Sequence, residues 1–98
     1  RPPTAIFASN DEMAVAAIAA ARRRGLDVPG DLTVVGFDDT PLASTVWPAL
    51  TTIRQPIAEM AEAAVTRLVR GRSDEPDDRD RMVEHTLVIR ESSAPPPE

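Results

Sequence analysis

The 98-residue chain contains no cysteine, no tyrosine and no lysine, and its one histidine is His85. Without cysteine there is neither a disulfide framework nor a thiolate metal site, and one imidazole leaves too few soft ligands for zinc or iron. No metal or other cofactor is therefore expected. Aromatic residues make up only 3%, namely Phe7, Phe37 and Trp47, so stacking platforms for nucleic acid bases are excluded and a core must come from aliphatic and alanine packing. Sixteen acidic residues face eleven basic ones, a net charge of −5. That balance repels phosphate backbones, and this chain by itself is not expected to bind DNA. No run approaches the roughly 18 consecutive apolar residues that span a bilayer, and the opening Arg1-Pro2-Pro3 is not a signal peptide. The chain starts without methionine and enters an apolar segment almost at once, which leads to the expectation that it continues a longer protein.

What is present is an alternating α/β pattern. Thr4 to Ala8, an apolar run between Pro3 and the polar Ser9-Asn10-Asp11, predicts a buried strand. Ser9 and Glu12 have capping-box spacing, and Asp11 and Glu12 suit the positive end of a helix. That helix should run to Arg24, where Gly25 supplies a left-handed stop and Leu26 folds back on the last turn. From Met13 to Ala21 every residue is apolar, so one face can cover a sheet while the other needs a second partner. A subunit contact and a sandwiched place within a larger domain both satisfy that need. Leu32 to Phe37, nearly continuous and rich in β-branched residues, predicts a parallel strand covered on both faces. The resulting βαβ unit brings the strand ends bearing Asn10 and Asp38 to one edge of the sheet.

Thr40 followed by Pro41 predicts a cap and first-turn proline for a short helix to about Val46. Thr51 to Gln55 reads as extended. Pro56 opens a second long helix, where Ile57, Met60, Ala61, Ala64, Val65, Leu68 and Val69 keep one-sided spacing, as in a sheet-covering helix that Gly71 closes. Residues 72–81 form a charged loop, 82–90 a returning strand, and the proline-rich 92–98 a disordered tail.

Two places can carry chemistry: Ser9-Asn10-Asp11 and Asp38-Asp39, each just after the carboxyl end of a predicted parallel strand. Ligands of open α/β sheets bind there, because the loops diverge and helix N-termini offer N–H groups. A carboxylate beside a carboxamide suits neutral ligands rich in hydroxyl or N–H groups, such as sugars and nucleosides. Successive side chains diverge, so one of Asp38 and Asp39 should enter the crevice and the other support the turn before Thr40. Local capping by Asn10 and Asp38 is the competing explanation. Enzyme chemistry finds no support. Magnesium-dependent phosphoryl transfer after a strand calls for a nearby lysine; a hydrolytic triad would need a nucleophile elbow near His85, and no Gly-x-Ser-x-Gly occurs; the four glycines form no dinucleotide fingerprint. Arg22, Arg23 and Arg24 fit the negative end of the first helix. Trp47 is suited to a ligand ring, a subunit contact or a core position.

The stretches Pro3 to Ala14, Gly25 to Asp39, Pro48 to Pro56 and Arg90 to Ser93, in that order, resemble the LacI/GalR family of transcriptional regulators. The resemblance implies a periplasmic-binding-protein-like fold of which this chain is an incomplete fragment. Residues 1–50 would belong to the C-terminal lobe of the effector domain, 51–55 to an interlobe crossover, 56–81 to the N-terminal lobe, and 82–91 to the returning strand. It further implies a cytoplasmic homodimer, not an enzyme, that binds a sugar or nucleoside-like effector and reaches operator DNA only through a separate N-terminal domain. By the same resemblance Asn10, Asp38 and Gln55 contact the effector, and Val15, Ile18, Ala19, Arg22, Leu42, Val46 and Trp47 lie at the dimer face. A sugar-binding protein of a transport system and a dimerisation fragment without effector binding are the alternatives.

Overall fold

The structure is a computed structural model that describes residues 2–71 and 84–98. It divides into two compact units, one formed by Arg1–Arg54 with Thr86–Glu98 and the other by Gln55–His85. The first opens with the expected βαβ: β1 (Ala5–Phe7), α1 (Asp11–Arg23) and β2 (Thr33–Val35). β1 and β2 are parallel, with Ala5 opposite Thr33 and Phe7 opposite Val35. β1 itself is exposed at all three residues, contrary to the expected buried strand, because β2 is the only strand hydrogen-bonded to it among the described residues.

The start of α1 is set by Asn10 and not by the Ser9–Glu12 pair. Asn10 adopts extended backbone and its Oδ1 accepts the Met13 N–H at 2.8 Å, the usual asparagine cap. The stop is as read. Gly25 has φ 77, its N–H donates to the Arg22 carbonyl at 3.0 Å, and the Leu26 N–H reaches back to the Ala21 carbonyl at 2.9 Å. These are the two bonds of a Schellman ending, which a residue with a Cβ adopts only under strain. The stripe Asp11, Ala14, Ile18 and Ala21 is buried, at helical 3–4–3 spacing, against Val28, Leu32, Val34, Ala43 and Leu50.

β2 is the central strand of this unit. Beyond its other edge run β3 (Thr52–Arg54) and β4 (Thr86–Val88), an antiparallel pair with Thr52 opposite Val88 and Arg54 opposite Thr86. Parallel bridges Val35–Thr51 and Asp38–Arg54, with the Gly36 N–H on the Thr51 carbonyl and the Asp38 N–H on the Ile53 carbonyl at 2.9 and 2.8 Å, stitch that pair to the end of β2. Between them comes α2 (Pro41–Thr45), with Pro41 in its first turn. Thr40 makes no capping bond; its hydroxyl is used elsewhere, as described below.

The tail departs from expectation at its start. Ser92 is fully buried. Its Oγ donates to the Val34 carbonyl and accepts the Thr51 N–H, and Ala94 exchanges two 3.0 Å hydrogen bonds with the Thr33 hydroxyl. Residues 92–94 therefore line β2, and only the proline-rich remainder lacks such contacts. Composition pointed to disorder because it does not register a single serine hydroxyl filling a backbone vacancy.

In the second unit, α3 (Ile57–Arg70) begins after Pro56 and ends at Gly71, φ 76. None of its residues is buried, and the described residues of this unit include no strand. A shallow concavity of about 560 Å³ lies along it, lined by Ala64, Arg67, Leu68 and Gly71. The charged loop at 72–81 and the first part of the predicted returning strand lie outside the described residues.

Gly36 is required by close approach. A Cβ there would lie 2.5 Å from Asp11 Oδ1 and 2.8 Å from Leu50 Cδ2. Gly36→Ala is expected to destabilise the fold by about 1–3 kcal/mol, the usual range for overpacking, measured by urea denaturation; an unchanged midpoint would contradict this packing.

Candidate functional site

The site is assembled around Asp11, which is fully buried. Its Oδ2 accepts the Thr40 N–H at 2.6 Å and the Thr40 hydroxyl at 3.0 Å, and its Oδ1 accepts the Thr52 hydroxyl at 2.7 Å. One carboxylate at the start of α1 thus ties the loop after β2 to the first residue of β3. A buried charge is tolerated only when hydrogen-bonded in this way, and the positive helix end adds to the effect. Sequence reasoning placed Asp11 as a helix-dipole residue and missed its central position. The one available signal was two consecutive threonines, Thr51 and Thr52, entering a strand: both are buried, and their hydroxyls serve opposite sides. Thr52 bonds Asp11, while Thr51 Oγ1 accepts the Arg90 N–H at 2.9 Å and pairs with Ser93 Oγ at 2.7 Å.

Asn10 and Asp38 are brought together by the backbone. The Asp11 N–H donates to the Phe37 carbonyl at 3.1 Å, and each candidate is the chain neighbour of one partner in that bond. Both are half-buried. The carbonyl oxygen of Asn10 is committed to capping α1, so the competing local explanation is correct for that oxygen, and the amide N–H2 is the end that can serve a ligand. Asp38 has φ 114 and Asp39 φ 59. Two consecutive non-glycine residues with positive φ are costly, and such conformations persist only where the surroundings over-determine them. Gln55 opens the second unit, and its place in a common site rests on the family resemblance alone.

The expected division of labour between the two acids is observed for Asp39. Its side chain is 8% exposed and paired twice, Oδ2 with Arg54 Nε at 2.8 Å and Oδ1 with Arg90 Nη2 at 2.7 Å. Arg90 Nη1 also donates to the Leu50 carbonyl at 2.9 Å. Burial by itself would raise the Asp39 pKa; the hydrogen bonds and charges of Arg90 and Arg54 outweigh it and hold the carboxyl below its ordinary value.

The residues expected at a dimer face divide. Ile18 is 2% exposed inside the core of this chain and is withdrawn from that face, because the helix turns it toward Val34 and Leu50 in the same cluster. Val46 also packs against that core. Val15 is half-buried, and Ala19, Arg22 and Leu42 are exposed. Trp47 is 73% exposed, which removes the core option, and the Arg22 guanidinium lies over its ring at 5.0 Å, a cation–π contact. His85 is exposed immediately before β4.

Because folding lowers the Asp39 pKa, its stabilisation is complete above the ordinary carboxylate range and is lost as pH falls through the lowered folded value. Thermal melting of the wild type should therefore drop from about pH 5 downward, and Asp39→Asn should lower the neutral-pH melting temperature while flattening that acid limb. Equal acid slopes in the two proteins would contradict the pairing.

The periplasmic binding protein-like domain matches residues 1–93. The HTH-type transcriptional regulator MalR of Streptomyces coelicolor is 45% identical over 98 residues, covering 99% of this chain and 28% of the regulator. Among solved structures, a LacI family transcriptional regulator from Lactobacillus casei with bound sucrose is 34% identical, with TM-score 0.75 over 93% of this chain and 34% of that one. The lac repressor dimer bound to operator and the anti-inducer ONPF is 33% identical, with TM-score 0.76 over 93% of this chain and 32% of its own. The chain thus spans 28% of the MalR regulator, and these relatives are transcriptional regulators. The LacI/GalR family of transcriptional regulators is the family to which the chain belongs, and it matches part of the periplasmic-binding-protein-like effector domain of that family.

Proposed function

We propose that this chain is the effector-sensing and dimerisation portion of a cytoplasmic transcriptional regulator, and that it binds a small neutral ligand, a sugar or nucleoside-like molecule, between two lobes. The observation that carries the reading is the pairing of Asn10 and Asp38 beside one backbone hydrogen bond, Asp11 N–H to the Phe37 carbonyl, at the carboxyl ends of two parallel strands. Asn10 contributes an amide donor and Asp38 an acceptor for ligand hydroxyl or N–H groups. Gln55, on the crossover between lobes, adds a third contact. The sucrose bound to the Lactobacillus casei relative supports the choice of ligand class.

Ligand binding closes the lobes about the crossover, and the changed lobe relation alters how the DNA-binding heads, carried by another part of the protein, sit on the operator. The dimer contact uses the outer face of α1 and the α2 segment, through Val15, Ala19, Arg22, Leu42, Val46 and Trp47. Exposed Leu42 and Trp47, beside Ala19 on α1, give that face the apolar surface such a contact needs.

In the full-length protein, Asp38→Ala is expected to weaken sugar binding by about tenfold or more, roughly 1.4 kcal/mol, by titration calorimetry. Asn10→Asp separates capping from recognition: the oxygen that caps α1 is kept and the amide donors are lost, so affinity should fall while the melting temperature without ligand stays within about 2 °C. Melting against sucrose, glucose, ribose and adenosine should show a concentration-dependent rise with at least one of them; a flat response throughout would favour a dimerisation module without a sensor.

A further inference from the structure

We propose that Asp39 is a positioning residue for the effector site: without touching the effector, it fastens Asp38 in the backbone conformation from which the Asp38 carboxylate meets the ligand. This rests on the reading of Asn10 and Asp38 as effector contacts and adds to it a cause for the geometry of Asp38. The φ values of 114 and 59 at Asp38 and Asp39 describe a turn that neither aspartate would hold unaided, since left-handed backbone is disfavoured for residues with a Cβ. Two anchors hold it. On the Asp38 side, its N–H donates to the Ile53 carbonyl at 2.8 Å. On the Asp39 side, the two carboxylate oxygens each take a separate guanidinium, Arg54 Nε at 2.8 Å and Arg90 Nη2 at 2.7 Å.

The two arginines come from opposite ends of the β3–β4 ladder. Arg54 is opposite Thr86; Arg90 lies beyond Val88 and donates through Nη1 to the Leu50 carbonyl at 2.9 Å, while its own N–H is held by Thr51 Oγ1 at 2.9 Å. A carboxylate gripped from two directions resists rotation about the chain, whereas one held by a single pair swings with it. The side chain is 8% exposed, so the Arg90 bond is sheltered from water, while Arg54 is 58% exposed and the weaker half of the grip. Asp39 therefore has little latitude to move without dragging Asp38, and the strain at Asp38 is maintained by its neighbour.

The test uses the full-length protein and titration calorimetry with sucrose, glucose, ribose and adenosine on wild type, Asp38→Ala, Asp39→Asn and the double variant. Asp39→Asn should weaken binding about five- to tenfold, and in the Asp38→Ala background it should cost less than about twofold more, because it acts through Asp38. A merely structural role would multiply the two losses. Backbone NMR without ligand adds a second readout: the intraresidue HN–Hα NOE of Asp38, strong where φ is positive, should weaken in Asp39→Asn. Unaltered affinity in Asp39→Asn beside a weakened Asp38→Ala, or losses that multiply, would overturn the positioning role alone; unaltered affinity in Asp38→Ala would overturn the effector-site reading beneath it. If Asp39→Asn fails to fold, Arg54→Gln removes the exposed half of the grip and should cost about two- to threefold; no loss there also overturns the proposal.

Discussion

The arrangement depends on one buried carboxylate. Asp11 accepts hydrogen bonds from the backbone and hydroxyl of Thr40 and from the hydroxyl of Thr52, and through them a helix, a loop and a strand that are remote in sequence share a fixed point. Removing any of the three donors would leave part of a buried charge unpaired, which costs far more than a surface contact returns. Gly36 is the geometric counterpart, since the carboxylate reaches its place only because no Cβ stands at that position. Asn10 precedes Asp11 and Asp38 lies in the loop that Thr40 fastens, so the separation of the two candidate contacts is set by this anchor.

A second layer of constraint acts on β3 and β4. Asp39 binds Arg54 and Arg90, Thr51 and Ser92 exchange backbone and hydroxyl bonds with β2 and its neighbours, and the described unit boundary falls only after Arg54 and before Thr86. The β3–β4 pair thus belongs mechanically to the first unit.

Elements with strong local causes were readable from the residues: the Gly25 stop with Leu26 folding back, Pro41 and Pro56 at helix starts, and the β-branched run that became β2. Asn10 and Asp38 were legible as a pair because parallel strands release their loops on one edge. What the sequence did not reveal involved partners distant along the chain. Asp11 looked like a dipole residue because Thr40 and Thr52 are far away in sequence, and Asn10, not Ser9, became the cap because the chain turns into α1 one residue later. Ser92 looked like tail because its acceptor, the Val34 carbonyl, lies in another strand. Ile18 could not be told from the outward residues of α1, since alanine-rich helices carry no polar stripe to mark which face is which.

The central claim is that Asn10 and Asp38 grip one neutral ligand from neighbouring strand ends. A crystal structure of the full-length protein with a bound sugar measures this directly. The account predicts a sugar hydroxyl donating to the Asp38 carboxylate and another accepting from the Asn10 amide, both within about 3.2 Å, with the Asp39 pairing to Arg54 and Arg90 unchanged. A sugar seated elsewhere, or one that meets neither side chain, would contradict it.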